Sequence, residues 1–65
     1  MQKTTDPIVR FIRSYIAARG FPPTQREIAK ACYLSLSAAN RRILMLAAQG
    51  HIDYTPRQAR GVGLP

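Results

Sequence analysis

Apolar residues early in the chain recur every three or four positions, the spacing that places side chains on one face of an α-helix. This stripe comprises Ile8, Val9, Phe11, Ile12, Tyr15 and Ile16. Asp6 followed by Pro7 is a typical helix start, because the carboxylate can accept a backbone N–H and proline suits the first helical position. Gly20 is a typical helix end. The pattern predicts a first helix over about 7–19, preceded by a loose tail at 1–5.

Two more helix starts follow. Thr24 and Glu27 form the T-x-x-E pattern of a capping box, which predicts a second helix over about 25–32. A helix this short is stable only when it packs against its neighbours. Ser35 can cap a third helix over about 36–49. The residues of the third helix that should face the core are Ala39, Ile43 and Leu46.

After the third helix the apolar residues alternate with polar ones, which is the period of a β-strand. They are Ile52 and Tyr54, then Val62 and Leu64. The polar, proline-containing segment between them is typical of a hairpin tip, so a wing is predicted over about 51–64. Residues 1–65 are therefore expected to form a single domain. Its fold class is mainly α (α+β), a three-helix winged helix-turn-helix with a C-terminal two-stranded β-hairpin wing.

The chain is strongly basic. Ten lysines and arginines against three acidic residues give a net charge of +7. Such an excess of positive charge attracts nucleic acid, an anionic membrane surface or an acidic protein. The alternative explanation is that the charge only keeps the domain soluble. Eight of the ten cations are arginine, whose planar guanidinium suits phosphates and guanine edges. The composition therefore favours nucleic acid.

Several classes of protein are disfavoured. Cys32 is the single cysteine and can form no internal disulfide, and no apolar run approaches the ~20 residues of a membrane span. We therefore expect a cytoplasmic, nucleoid-associated protein with no membrane partner. Three acids without a nucleophile constellation do not indicate an enzyme, and His51 has no second ligand at metal spacing. No metal or other cofactor is expected.

The face of the third helix opposite its apolar stripe carries polar groups suited to DNA. On a helical wheel it includes Ser37, Asn40 and Arg41. Asparagine can bind adenine with two hydrogen bonds, and arginine can do the same with guanine. The alternative is that these are ordinary solvated residues. Phosphate contacts are predicted for the start of the second helix, at Thr24, Gln25 and Arg26.

Over nearly its whole length the sequence resembles the N-terminal DNA-binding domain of LexA-type SOS repressors, a winged helix-turn-helix. The matching segments are "FPPTQREIA", "SLSAANRRILMLAAQG" and "HIDY" followed by "RGVGL". The resemblance implies a repressor-like transcription regulator of double-stranded DNA, with the third helix in the major groove. The implied recognition residues are Ser35, Ser37, Ala38, Asn40 and Arg41, with Arg42 alongside. The wing residues Arg57, Gln58 and Arg60 would contact the DNA backbone or minor groove.

The sequence departs from that family in three ways. Tyr33 occupies a turn position where glycine is usual, and the connection between the second and third helices is one residue shorter. The third helix also lacks a proline at its start. The self-cleaving and dimerising C-terminal domain of LexA has no counterpart in these residues, so the resemblance covers only DNA binding.

Several of these residues, and the domain as a whole, have an alternative interpretation. Ser35 serves first as a helix cap, and Arg42, nearer the flank of the buried stripe, suits phosphate better than a base. Arg57 and Arg60 could simply keep a hairpin soluble. The whole domain could instead be a protein-binding winged helix that uses Leu44 and Met45. A lone DNA-binding module of this size binds modestly, so a homodimer on DNA or a missing partner protein is expected.

Overall fold

The computed structural model describes residues 6–56 and 60–64 and contains three helices followed by a two-stranded antiparallel sheet. The elements are α1 (Pro7–Arg19), α2 (Gln25–Ala31), α3 (Leu36–Ala48), β1 (Asp53–Tyr54) and β2 (Val62–Gly63). In the sheet Asp53 pairs with Gly63 and Tyr54 with Val62. The predicted fold class, a three-helix winged helix-turn-helix, is confirmed. The ends of α2 and α3 each lie one residue before the predicted position.

Each helix begins at the residue that the sequence indicated. The Asp6 carboxylate accepts the backbone N–H of Ile8 at 2.9 Å, and the Ser35 hydroxyl accepts that of Ala38 at 3.1 Å. At α2 the capping box is complete. The Thr24 hydroxyl accepts the N–H of Glu27 at 3.1 Å, and the Glu27 carboxylate accepts the N–H of Thr24 at 2.7 Å. These bonds satisfy donors that have no partner within a helix.

The turn between α2 and α3 closes with a Schellman motif that has tyrosine at the position where glycine is usual. The N–H of Leu34 donates to the carbonyl of Ala29 at 2.8 Å, and that of Tyr33 to the carbonyl of Lys30 at 3.4 Å. Tyr33 has φ 57°, in the left-handed region, and its side chain is 97% exposed. Because its Cβ is strained there and little of its surface is buried, this residue costs stability without an evident return inside the domain.

A small aliphatic core joins all of the elements. It contains Ile8, Val9, Ile12, Ile28, Ile43, Leu46, Ile52 and Val62, all buried, with Phe11, Ile16, Cys32, Leu34, Ala47, Tyr54 and Leu64 packed around them. Ala29 of α2 and Ala39 of α3 are both buried, and small residues between packed helices let the backbones approach closely. Burial of each isoleucine contributes on the order of 1.5–3 kcal/mol, so this core is what holds the short α2 in place.

Arg60 ties the end of the hairpin to the connection between α1 and α2. Its Nη1 donates to the Pro22 carbonyl at 2.9 Å, to Glu27 Oε1 at 3.0 Å and to the Tyr15 hydroxyl at 3.3 Å. Its guanidinium also lies 4.7 Å from the centroid of the Phe21 ring, in a cation–π contact. One arginine therefore fixes the wing against the helical part of the domain.

Glu27 is at the centre of a cluster that it forms with Tyr15, Thr24 and Arg60. The Thr24 backbone N–H lowers the pKa of the Glu27 carboxyl most, then the Tyr15 hydroxyl, with the Thr24 hydroxyl and the Arg60 charge adding to the effect, and the result is a pKa of about 2. The capping box and the arginine tie thus depend on the same ionised carboxylate.

We predict that Tyr33→Gly stabilises the domain by about 1 kcal/mol, because glycine removes the Cβ strain at positive φ and little buried surface is lost. Urea unfolding measures the change. Tyr33→Ala is the matched control: it removes the exposed ring but keeps Cβ, so its stability should stay within about 0.5 kcal/mol of the parent. Equal stabilisation by both variants would show that the ring, not the backbone, is responsible.

We also predict an acid-sensitive stability that depends on Glu27. The pKa of this group is lower in the folded chain than its ordinary value of 4.5, so its contribution is complete above about pH 4.5 and is lost as pH falls toward about 2. Between pH 6 and pH 3 the urea midpoint of Glu27→Gln should therefore fall less than that of the parent. Asp53→Asn, at an exposed acid outside the cluster, is the control and should retain the full fall. Parallel curves for parent and Glu27→Gln would contradict this assignment.

Candidate nucleic-acid interface

The outer face of α3 carries the polar side chains that the sequence singled out. Ser37 and Arg41 are exposed and Asn40 is half-buried, whereas Ala39 and Ile43 of the same helix are buried in the core. The helix has 13 residues, which makes it about 20 Å long. With side chains, an α-helix is about as wide as the major groove of B-DNA. The geometry therefore suits a groove-reading helix whose Ser37–Asn40–Arg41 face points outward.

A chain of hydrogen bonds joins this face to both α2 and the wing. Nδ2 of Asn40 donates to Oε1 of Gln25 at 3.3 Å, and Nε2 of Gln25 donates to the Tyr54 hydroxyl at 2.8 Å. We refer to Asn40, Gln25 and Tyr54 as the polar chain. The sequence pattern indicates Tyr54 only as one of the alternating apolar residues of the wing. Since its partner lies 29 residues away, no local pattern could have revealed the contact.

An open cleft of about 360 Å³ lies between the start of α2 and the start of α3. Gln25, Leu36, Ser37 and Asn40 line it. Three of these side chains offer hydrogen-bonding groups, and Leu36 offers an apolar surface. This mixture can contact base edges by hydrogen bonds and the methyl group of thymine by apolar packing. Leu36 was not among the predicted site residues, because an apolar residue at the start of a helix has no pattern that indicates DNA binding.

The other residues predicted to contact DNA at the starts of α2 and α3 are neighbours of the cleft residues in the sequence. Thr24 and Ser35 are the caps, and each hydroxyl oxygen accepts a backbone N–H. The hydroxyl of Ser35 keeps its proton available for donation, whereas that of Thr24 also interacts with the Glu27 carboxylate. Arg26 is exposed, and Ala38 is half-buried. The roles of these four residues in binding stay predictions.

The side chain of Arg42 reaches from α3 to the start of α1. Its Nη2 forms an ion pair with Asp6 Oδ2 at 2.8 Å, which joins α3 to the residue that caps α1. This contact brings its guanidinium to a different part of the domain from the Ser37–Asn40–Arg41 face. A contact of Arg42 with DNA stays a prediction, and it would compete with the ion pair.

The wing cations divide between one described and one undescribed position. Arg60 is engaged with the connection between α1 and α2, and none of the partners given for it above belongs to α3. Arg57 and Gln58 lie outside the described residues. The predicted contacts of all three with the DNA backbone stay predictions.

Ion pairs neutralise most of the acidic charge of the chain. Two of the three acids form ion pairs, Asp6 with Arg42 and Glu27 with Arg60. Arg26, Lys30 and Arg41 are exposed and form no ion pair within residues 6–56 and 60–64. The surface of α2 and α3 therefore presents uncompensated cations, which attract a phosphate backbone.

Other kinds of site find little support in the described part of the chain. Residues 6–56 and 60–64 contain no group of three histidine, cysteine or acidic side chains that could hold a metal ion. Within the same residues no helix has the length and apolar character needed to cross a bilayer. Burial raises the pKa of the Cys32 thiol, which disfavours its reactive thiolate form.

Comparisons with known proteins agree with this geometry. The family model described as the LexA DNA binding domain matches residues 2–61. The chain is 45% identical over 58 residues to LexA repressor 2 of Pseudomonas putida, which covers 88% of the chain and 29% of the relative. It is 39% identical over 69 residues to the LexA repressor of Pseudomonas aeruginosa, covering 100% of the chain and 34% of the relative. It is 33% identical over 66 residues to that of Hahella chejuensis, covering 100% and 33%.

The chain thus spans about a third of the length of the curated relatives it matches. The part that corresponds is the winged helix-turn-helix described above, and the match extends from the tail before α1 to the residue before β2. The chain belongs to the LexA DNA-binding domain family.

Proposed function

We propose that this protein binds double-stranded DNA in a sequence-specific manner and acts as a repressor-like transcription regulator. In this proposal α3 enters the major groove and the wing contacts the backbone or minor groove. The observation that carries it is the exposed Ser37–Asn40–Arg41 face of α3. That face is braced by α2 and belongs to a chain of net charge +7.

Affinity and discrimination would come from different groups. Phosphate contacts by Arg26, Lys30 and the wing cations supply binding that does not depend on sequence. Contacts of Ser37, Asn40 and Arg41 with base edges supply the preference for one sequence. The repressors named above support a regulatory role of this kind.

Tight binding would need more than one copy. A single module of this kind covers only ~600–1,000 Å² of protein surface on DNA. We propose that a second copy on an adjacent half-site, or a partner protein, completes the regulator on the nucleoid. A bound sequence with two symmetric half-sites would support the homodimer.

A second candidate is a protein-binding winged helix. Leu44 and Met45, neighbours on the second half of α3, are 49% and 51% exposed and offer an apolar surface to a partner. An apolar docking surface predicts an affinity that changes little with salt, in contrast to a phosphate-contacting one.

Sequence-specific binding to DNA and contact with its phosphates can be tested together. Selection from a pool of random duplexes should yield a defined motif, and the logarithm of its affinity should fall linearly with the logarithm of salt concentration. A slope of about −4 would correspond to four or five phosphate contacts. Recovery of no motif together with a flat salt dependence would overturn DNA binding and favour the protein-docking alternative.

Two arginine variants should separate base contacts from phosphate contacts. Arg41→Ala should lose discrimination at one or two base pairs, by about 1–3 kcal/mol for a bidentate contact, and Arg57→Ala should weaken all sequences alike. Fluorescence anisotropy against single-base variants of the selected motif measures both. Arg13→Ala, an exposed arginine on α1, is the charge-matched control and should alter neither property strongly. Equal effects of Arg41→Ala and Arg57→Ala on every duplex would contradict the division.

A further inference from the structure

We propose that Tyr54 and Gln25 are positioning residues that hold the Asn40 carboxamide as an adenine reader, so that the wing contributes to base recognition without touching the base. The inference rests on the proposed DNA binding and names the base that this part of the site selects. It follows from the polar chain, which joins the three side chains across α3, α2 and β1.

The hydrogen-bonding capacity of Asn40 is only partly used within the domain. A carboxamide has two N–H donors and an oxygen with two lone pairs. One N–H of Asn40 is given to Gln25, and among residues 6–56 and 60–64 its Oδ1 accepts no hydrogen bond. One N–H and the oxygen of the carboxamide therefore remain for a ligand. That pair is complementary to adenine, which presents N7 as an acceptor and N6–H as a donor in the major groove.

The bond to Gln25 decides which way the carboxamide faces. A free asparagine side chain can turn over by half a rotation, which exchanges its donor and acceptor edges. With Nδ2 held by Oε1 of Gln25, the nitrogen lies toward α2 and the oxygen lies away from it. The edge left for a base then has a fixed order of donor and acceptor, and less entropy is lost when it binds.

Gln25 in turn is held by Tyr54. Its Nε2 donates to the tyrosine hydroxyl at 2.8 Å, and its Oε1 accepts from Nδ2 of Asn40. Tyr54 lies in β1 opposite Val62, which is buried, and the tyrosine packs against the core. The fixed point of the polar chain is therefore the rigid base of the wing.

Tyr54→Phe tests the inference because it removes only the hydroxyl. Selection and single-base variants first identify the position whose preference is lost in Asn40→Ala, and this base should be adenine. The parent should prefer adenine there by about tenfold or more. In Tyr54→Phe that preference should fall by about threefold to tenfold, the effect of one lost hydrogen bond, with binding to unrelated duplexes unchanged.

Two controls distinguish positioning from other roles. In an Asn40→Ala background, Tyr54→Phe should have no further effect on the preference, because the group it positions is gone. In the parent, 7-deazaadenine at the identified position removes N7 and should weaken binding, and the same replacement should cost Tyr54→Phe less. Urea unfolding of Tyr54→Phe establishes that the domain is intact, and Gln25→Met, of similar size, provides a second break in the polar chain.

The outcomes separate this inference from the proposed function. Absence of sequence-specific binding by the parent would overturn both. A parent that discriminates normally, with a base other than adenine opposite Asn40, would overturn the adenine assignment. Uniform weakening of all duplexes by Tyr54→Phe would make Tyr54 a phosphate contact and overturn the positioning role. An undiminished effect on the preference in the Asn40→Ala background would show that Tyr54 acts independently of Asn40 and would overturn it too.

Discussion

The packing of α2 against α3 is the constraint on which the rest of the molecule depends. A helix of seven residues is not stable by itself in water, so α2 exists only because Ile28 is buried in the common core with Ile43. Ala29 and Ala39 allow the close approach, and the turn at Tyr33 sets the angle. Once these helices are fixed, one side of α3 is committed to the core and the opposite side must face solvent. The face that we propose to enter the DNA groove is therefore a consequence of core packing.

Ion pairs between charged side chains also join separate elements of the structure. The chain has three acids, and two of them join distant parts of the structure, Asp6 to α3 through Arg42 and Glu27 to the wing through Arg60. Exposed ion pairs of this kind contribute little energy individually, but each also fixes a helix cap or a loop. Their effect on the surface is that the negative charge is neutralised at structural contacts. Exposed cations remain on α2 and α3, where DNA is proposed to bind, and also on α1.

The wing makes structural contacts with the helices that are separate from its predicted contact with DNA. Arg60, which precedes β2, binds the connection between α1 and α2, and Tyr54 in β1 accepts a hydrogen bond from Gln25 of α2. A hairpin with two-residue strands has few ladder hydrogen bonds, so its position is set by side-chain contacts of this type. The wing and α3 are thereby parts of one surface, because both are attached to α2.

The sequence by itself determined the helices, their caps and the candidate face. Capping boxes, proline and glycine positions and hydrophobic periods are local signals, and Asp6, Thr24, Ser35, Gly20 and the stripe of α3 were all readable from them. Tertiary structure alone decided the partners of Arg42, Arg60 and Tyr54. Those contacts join residues 36, 38 and 29 positions apart, and a long polar side chain at a given site is compatible with solvent, DNA or another side chain. Only the folded backbone brings one of those partners within reach, and that is why the polar chain behind Asn40 could not be read from the sequence.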